Sequence, residues 1–194
     1  MGVEIERKFT VKSLPANLDT FPVRIIEQGY LNVVPAIRVR REDDHYYMTY
    51  KSRKGFGTDG LAADADAFAS GAEGRDSDSN AFEIGKTEYN LPLDEESYEH
   101  LIKKADGNVI RKKRYLLPIN DDAFDEDFKA THPELTDKLT IELDVFGPPF
   151  EGTIIAEVEF PDEETASNYH PVSWFDSDVT GDVRYSNAHM SSCK

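Results

Sequence analysis

Pairs of like charges, spaced two residues apart, recur along this sequence of 194 residues. Residues i and i+2 of a β-strand point to the same side, about 6.6 Å apart. Like charges placed side by side repel each other, so a surface strand gains nothing from such pairs, whereas a ligand of opposite charge would stabilise them. The basic pairs are Arg38/Arg40 and Lys112/Arg114, and the acidic pairs are Glu4/Glu6, Glu142/Asp144 and Glu157/Glu159.

The two kinds of pair suit two kinds of ligand. Clustered arginines and lysines bind a polyanion that has several phosphoryl oxygens. Clustered carboxylates bind hard divalent cations such as Mg²⁺ or Mn²⁺, and these cations also bind phosphate oxygens. Together the pairs predict a metal–polyphosphate site.

The elements that must position these side chains are predicted to be strands, because alternation of period two dominates the chain. Most residues between and beside the charges, such as Ile141 and Leu143, are apolar. A mainly β fold with a few helices (α+β) therefore follows, and the economical form is a closed eight-stranded antiparallel β-barrel with a charged lumen and helices packed outside. The predicted strands are roughly 3–11, 24–33, 36–42, 45–52, 82–91, 109–117, 139–146 and 153–160.

Helical patterns are few. A helix is expected after Asp94, with its stop at Gly107, and a shorter one at 161–169. Residues 121–130 form either another helix or an acidic loop. Residues 53–80 are rich in Gly, Ala, Asp and Ser, which indicates a long flexible insertion in a single domain covering 1–194.

Composition excludes several function classes. The formal net charge of −16 argues against binding to nucleic acid or to an anionic membrane surface, although a local basic pocket can still hold a small anion. The single cysteine, Cys193, allows no disulfide within the chain. No apolar run is long enough to span a bilayer, and no secretory signal begins the chain, so a cytoplasmic protein is expected. The chain is expected to be a monomer or a homodimer.

The motifs, taken in order, resemble the CYTH superfamily, the triphosphate tunnel metalloenzymes. "EIERK" at 4–8 matches the ExExK pattern of that superfamily, which is weak when it stands alone. The resemblance covers nearly the whole chain apart from 53–80, and it is greatest to short members that act as inorganic triphosphatases. Its other motifs are "EQGYL" (27–31), "IRVR" (37–40), "MTYKS" (48–52), "KTEYNL" (86–91), "KKRY" (112–115), "ELDVF" (142–146), "AEVEF" (156–160) and "DVTGDVRYSN" (178–187).

The resemblance implies a tunnel that binds a triphosphate substrate and a role for each matching residue. It implies Mg²⁺ or Mn²⁺ as cofactor, as two ions, one clamping the phosphates and the other acidifying the attacking water. Phosphate contacts are expected from Lys8, Arg38, Arg40, Lys51, Lys86, Lys112, Arg114 and Arg184. Metal contacts are expected from Glu4, Glu6, Glu88, Asp144, Glu157 and Glu159. The residues expected to act in catalysis are Tyr30, Lys112 and Glu157.

One departure from the pattern keeps alternatives open. Relatives often carry a second acid two residues after Glu88, where this chain has Asn90, so the expected second metal site has one acid fewer than in those relatives. The predicted function is hydrolysis of inorganic triphosphate. The alternatives are a class IV adenylate cyclase, a thiamine or nucleoside triphosphatase, and a polyphosphate-binding module without catalysis.

Overall fold

A computed structural model describes residues 5–53 and 86–193 of the chain. The fold is mainly β with a few short helices. The strands are β1 (Ile5–Val11), β2 (Val23–Val33), β3 (Ala36–Glu42), β4 (His45–Arg53), β5 (Lys86–Leu93), β6 (Asp106–Pro118), β7 (Thr140–Phe146), β8 (Ile154–Phe160) and β9 (Phe175–Asp178). The helices are α1 (Glu95–Ile102), α2 (Glu126–Thr131), α3 (Leu135–Lys138), α4 (Glu163–Asn168) and α5 (Asn187–Ser192), with 3₁₀ turns at Leu18–Thr20 and Val183–Tyr185.

All strands join one antiparallel sheet in the order β5-β4-β3-β2-β6-β7-β8-β1-β9. The prediction of a closed eight-stranded barrel is therefore wrong, because the described strands form an open sheet of nine. The ninth strand gives the physical reason. β9 pairs with β1 through Phe9↔Asp178 and Val11↔Phe175, so it occupies the edge of β1 that closure of the barrel would need. The alternation pattern did not predict β9, which is only four residues long.

The sheet separates apolar and charged side chains as the alternation predicts. On one face of β1, β6, β7 and β8, apolar residues form the main core with the residues of α3, α4 and the connecting segments. Phe9 stacks on Phe175 at a ring-centroid distance of 4.5 Å. The buried members of this core are Phe9, Leu117, Ile119, Ala123, Phe124, Leu135, Leu139, Ile141, Leu143, Ala156, Val158, Phe160, Ala166, Tyr169 and Phe175.

The opposite face carries charged side chains, several of which are buried. The side chain of Lys112 is 0% exposed and that of Asp144 is 1% exposed, although both belong to the charged face. Arg114 of β6 also reaches across β7 to donate to Glu157 of β8 at 2.8 Å. Adjacent strands lie about 4.8 Å apart, so side chains from strands two apart meet most readily when the sheet curls around them. We call this face the trough.

One end of the trough is filled by an apolar cluster rather than by charges. Its buried members are Tyr30, Ile110, Phe146, Ile155 and Met190, and the last of these comes from α5. α5 packs against β6 and β2. The C-terminal helix therefore covers one end of the charged face.

Helix α1 covers the outer side of β2, β3 and β4. It begins as predicted, because the Asp94 side chain caps it by accepting a hydrogen bond from the Ser97 N–H at 2.7 Å. The close approach of the segment after the helix depends on Gly29 of β2. A Cβ atom there would lie 2.5 Å from Ala105 Cβ and 2.8 Å from Ile102 Cδ1.

The other helical predictions are confirmed in part. The helix predicted at 161–169 is α4, which Asp162 caps through the Thr165 N–H. The segment 121–130 is a turn followed by α2, while α3 and α5 were not predicted. The predicted insertion at 53–80 lies outside the described residues except for Arg53. The longest described helix, α1, has eight residues, whereas a membrane span needs about 20.

Candidate functional site

The trough divides into two regions, in which the basic residues have different kinds of partner. The region on β2, β3 and β4 is called here the arginine half: Gln28, Arg38, Arg40, Thr49 and Lys51. The region on β1, β6, β7 and β8 is called the carboxylate half: Glu6, Lys8, Lys112, Arg114, Glu142, Asp144, Glu157 and Glu159.

Arg38 is a buried cation that contacts no carboxylate of the described residues, and the attraction of Glu88 acts on it only from a distance. It is 9% exposed, and its Nη2 donates to the Thr49 hydroxyl at 3.1 Å, while its Nε has no partner. No carboxylate of the described residues lies within ion-pair distance of it. Burial, together with repulsion from Arg40, lowers the pKa of the Arg38 guanidinium. Burying an unpaired charge is costly, so this site favours the binding of an anion.

Arg40 is held mainly by neutral groups. Its Nε and Nη2 both donate to Gln28 Oε1, at 2.9 and 2.7 Å, and its Nη1 donates to the Tyr47 hydroxyl at 3.3 Å. The carboxylate of Glu42 lies 3.7 Å away and accepts a closer hydrogen bond from Arg24 at 2.6 Å. The positive charge of Arg40 is therefore only partly neutralised by the protein, so it can attract an anionic ligand.

In the carboxylate half every base contacts at least one acid. Arg114 donates through Nε and Nη2 to the two oxygens of Asp144, each at 2.7 Å, and it also contacts Glu142 and Glu157. Lys112 donates to Asp144. Arg114 and Asp144 thus form the centre of a buried ionic network, in which each charge depends on its partners.

Lys8 extends this network across β8. Its Nζ lies 2.9 Å from a Glu157 oxygen and 3.8 Å from Glu6. Burial opposes ionisation of Glu157, but attraction from Lys8, Arg114 and Lys112 outweighs it and holds the pKa of Glu157 well below its usual range. Glu157 is therefore ionised in the folded protein at neutral pH.

Lys112 lies where the two halves meet. Burial lowers the pKa of its ammonium group to about 8, with repulsion from Arg114 and Arg40 acting in the same direction and the attraction of Asp144 opposing them. Its Nζ is 5.3 Å from the ring centre of Phe146, which belongs to the apolar end of the trough. The lysine is thus fixed between an acid, an aromatic ring and the arginine half.

The acids of the carboxylate half fit a hard cation by their chemistry and pairing. Glu6 lies directly opposite Glu159, and Glu142 lies directly opposite Glu157. Carboxylates placed opposite each other repel unless a cation lies between them, and for Glu142 and Glu157 the side chain of Arg114 already supplies that cation. Burial raises the pKa of Glu142, and repulsion from Glu157 and Asp144 adds to that effect against the attraction of Arg114. Within 5–53 and 86–193, however, no three acidic, histidine or cysteine side chains converge closely enough to hold an ion.

Other predicted site residues lie at the end or the edge of the trough, away from it, or outside the described residues. Tyr30 lies in the apolar end cluster beside Arg38, its partner across β2 and β3. Lys51 and Glu88 pair with each other at 2.7 Å at the β4–β5 edge. Arg184 lies away from the trough, with a side chain that is 74% exposed and paired with Asp182. Glu4 lies outside the described residues, and Lys86 is described only as the first residue of β5.

The structure adds residues to the trough that the charge pattern did not select. Gln28 and Thr49 are buried, at 0% and 1% exposure, and they hold Arg40 and Arg38. Both lie two residues before a selected residue, Tyr30 and Lys51, so the alternation that placed the charges also placed these two side chains on the same face. Asn90 accepts a hydrogen bond from Thr49 at 2.6 Å and donates one to Glu88 at 3.1 Å.

Comparison with known proteins gives whole-chain similarities. No family model matches the chain. An inorganic triphosphatase of Nitrosomonas europaea is 29% identical over 192 residues, covering 97% of this chain and 96% of that protein. An inorganic triphosphatase of Acetivibrio thermocellus is 29% identical over 199 residues, covering 98% and 94%.

A solved structure has the same fold. The crystal structure of an inorganic triphosphatase aligns with a TM-score of 0.62 and 25% sequence identity, covering 100% of this chain and 97% of that chain. The chain is therefore similar to inorganic triphosphatases along its whole length, in sequence and in fold.

Proposed function

We propose that this protein is an inorganic triphosphatase, a hydrolase that cleaves the phosphoanhydride bond of triphosphate to give pyrophosphate and phosphate. The observation that carries the proposal is the buried, uncompensated Arg38, next to an Arg40 that neutral groups hold in place. Full-length similarity to two inorganic triphosphatases supports the same activity. We assign the chain to the CYTH superfamily on the order of its motifs.

The arginine half binds the substrate in this proposal. A linear triphosphate carries its charge along one line, and Arg38 and Arg40 of β3 point to the same side, about 6.6 Å apart. Lys112, Lys8 and Arg114 extend the basic surface toward the carboxylate half. Fixed cations aimed at the phosphoryl oxygens stabilise the charge that develops as the bond to the leaving pyrophosphate breaks.

The carboxylate half would hold the divalent cation. Glu6, Glu159 and Glu157 supply oxygen ligands of the kind that Mg²⁺ and Mn²⁺ prefer, with Glu4 as a further candidate. When bound, such an ion neutralises phosphate charge and lowers the pKa of coordinated water. Because the acids of this half are bonded to Lys8, Lys112 and Arg114, ion binding would require some of these contacts to be exchanged.

A substrate panel tests the proposal. The purified protein is given inorganic triphosphate, ATP and thiamine triphosphate with Mg²⁺ or Mn²⁺, while phosphate, pyrophosphate and cyclic AMP are followed. Inorganic triphosphate is expected to be hydrolysed with the highest kcat/KM, and EDTA is expected to abolish turnover. Cyclic AMP from ATP, or triphosphate binding without turnover under any condition, would overturn the proposal.

A further inference from the structure

Gln28 is the only glutamine in the chain, and it is completely buried in the middle of the trough. It lies on β2, opposite Arg40 of β3 and opposite Ile110 of β6. Its Oε1 accepts two hydrogen bonds from Arg40, at 2.9 and 2.7 Å. Its Nε2 is buried and has no hydrogen-bond partner.

The contacts of Arg40 fix the orientation of this amide. A guanidinium group only donates hydrogen bonds, so the group that faces it must be the amide oxygen. The Nε2 group therefore faces away from Arg40. A buried N–H group without an acceptor is unfavourable and rare in folded proteins. An acceptor from a ligand would satisfy it.

Arg114 provides an internal comparison for Arg40. Each arginine uses Nε and Nη2 toward one side chain on a neighbouring strand, but Arg114 faces the carboxylate of Asp144, whereas Arg40 faces a neutral amide. The carboxylate holds and neutralises its arginine. The amide holds its arginine in a similar way without adding a negative charge, and the Glu42 carboxylate lies farther from Arg40, at 3.7 Å.

We propose that Gln28 is a substrate-binding residue, which orients Arg40 without neutralising it and donates its free Nε2–H to a phosphoryl oxygen. This inference rests on the proposed function, since the anion that it names is the triphosphate chain. It adds a neutral hydrogen-bond donor to the charged residues that are proposed to bind triphosphate.

Substitution of Gln28 by glutamate separates this role from a structural one. Gln28→Glu keeps the shape and the two bonds to Arg40, but it neutralises the arginine and replaces the donor by an acceptor. The KM for inorganic triphosphate is expected to rise about 10- to 100-fold, the range for losing one hydrogen bond to a charged group, with a smaller change in kcat. The melting temperature is expected to stay the same or rise, because Arg40 gains a charged partner.

Two further variants complete the set. Gln28→Met keeps the length of the side chain without either hydrogen bond, so it is expected to raise KM and to lower the melting temperature. Asn168→Asp makes the same amide-to-acid change on the exposed surface of α4 and is expected to leave KM unchanged. A Gln28→Glu variant that folds and has the KM of the unsubstituted protein would overturn the inference.

Nuclear magnetic resonance tests the direct contact without turnover. Because the chain has one glutamine, labelling glutamine side chains with ¹⁵N gives one amide pair to observe. Inorganic triphosphate added in EDTA is expected to shift one Nε2 proton downfield and to slow its exchange with water. Binding of triphosphate seen by calorimetry without any change in this amide would refute the contact, even if Gln28→Glu failed to fold.

The failure of this inference differs from the failure of the proposed function. If the unsubstituted protein neither binds nor hydrolyses triphosphate, the proposed function is wrong, and with it the inference. If the unsubstituted protein hydrolyses triphosphate, the Gln28 variants have the same KM and triphosphate does not change the amide resonance, only the inference is wrong.

Discussion

The two halves of the trough differ in the partners that they give to their buried basic side chains. In the carboxylate half, the described residues place five acids around three bases, and Lys8, Lys112 and Arg114 each contact an acid. In the arginine half, the buried Arg38 contacts a hydroxyl and the buried Arg40 contacts chiefly an amide, while the more exposed Lys51 at the edge contacts an acid, Glu88. In the carboxylate half, acids of the protein neutralise the bases. In the arginine half, the closest partners of Arg38 and Arg40 are neutral, so their positive charge is not neutralised at close range.

This difference indicates which half is prepared for an anion. A buried ion pair stabilises little compared with apolar residues of the same size, but the loss of one partner is costly because the other charge remains buried. A buried cation without a partner already carries that cost. Binding of a phosphate chain is therefore expected to stabilise the arginine half more than the carboxylate half. Substitution of one charged residue is expected to destabilise the carboxylate half more.

The largest expected effect on stability comes from breaking the carboxylate half. Among the described bases, Arg114→Met leaves Asp144 in contact with Lys112 alone and removes one partner of Glu157, so the free energy of unfolding is expected to fall by about 3–5 kcal/mol. Urea denaturation measures it. Arg111→Met serves as the matched control, because Arg111 lies outside the trough, 58% exposed, and pairs only with Glu27 among the described acids. A loss for Arg114→Met no larger than that of the control would contradict the comparison.

The corresponding substitution in the arginine half should affect activity and spare stability. Arg38→Met removes an unpaired buried charge, so the free energy of unfolding is expected to stay constant or increase. The kcat/KM for inorganic triphosphate is expected to fall about 100- to 1,000-fold, as when one preorganised donor is removed from a charge-stabilising site. Steady-state kinetics and urea denaturation on one preparation give both values. If Arg38→Met destabilised the protein as much as Arg114→Met, the two halves would not differ in the way described.

The smallest effect concerns Glu42, the acid nearest to Arg40. Burial opposes its ionisation, but hydrogen bonds from Arg24 and Tyr47 outweigh burial and lower the pKa of Glu42 below its ordinary value of 4.5. Its contribution to stability is therefore present above pH 4.5 and is lost as the pH falls through the lower, folded-state pKa. Glu42→Gln should give a flatter decline of the free energy of unfolding below pH 4.5. Equal slopes for Glu42→Gln and the unsubstituted protein would show that Glu42 contributes nothing.

The sequence determined which face of each strand is charged. Period-two alternation placed Arg38 with Arg40, Lys112 with Arg114, and Glu157 with Glu159, and it did so because side chains of a strand alternate strictly between two faces. The same local rules predicted the start of α1 at Asp94 and of α4 after Pro161, since caps act within a few residues. These features depend on neighbours along the chain, so the sequence alone was sufficient.

The tertiary structure decided which charges meet and whether the sheet closes. The short β9 pairs with the free edge of β1. Four residues are too few for an alternation pattern to predict a strand that pairs with a segment about 170 positions away. The register across strands places Asp144 beside Arg114 and Gln28 beside Arg40. The charge pattern made the same prediction for Arg40 and Arg114. Their partners come from strands that are distant in sequence, and only these contacts leave Arg114 neutralised by Asp144 and Arg40 held by a neutral amide.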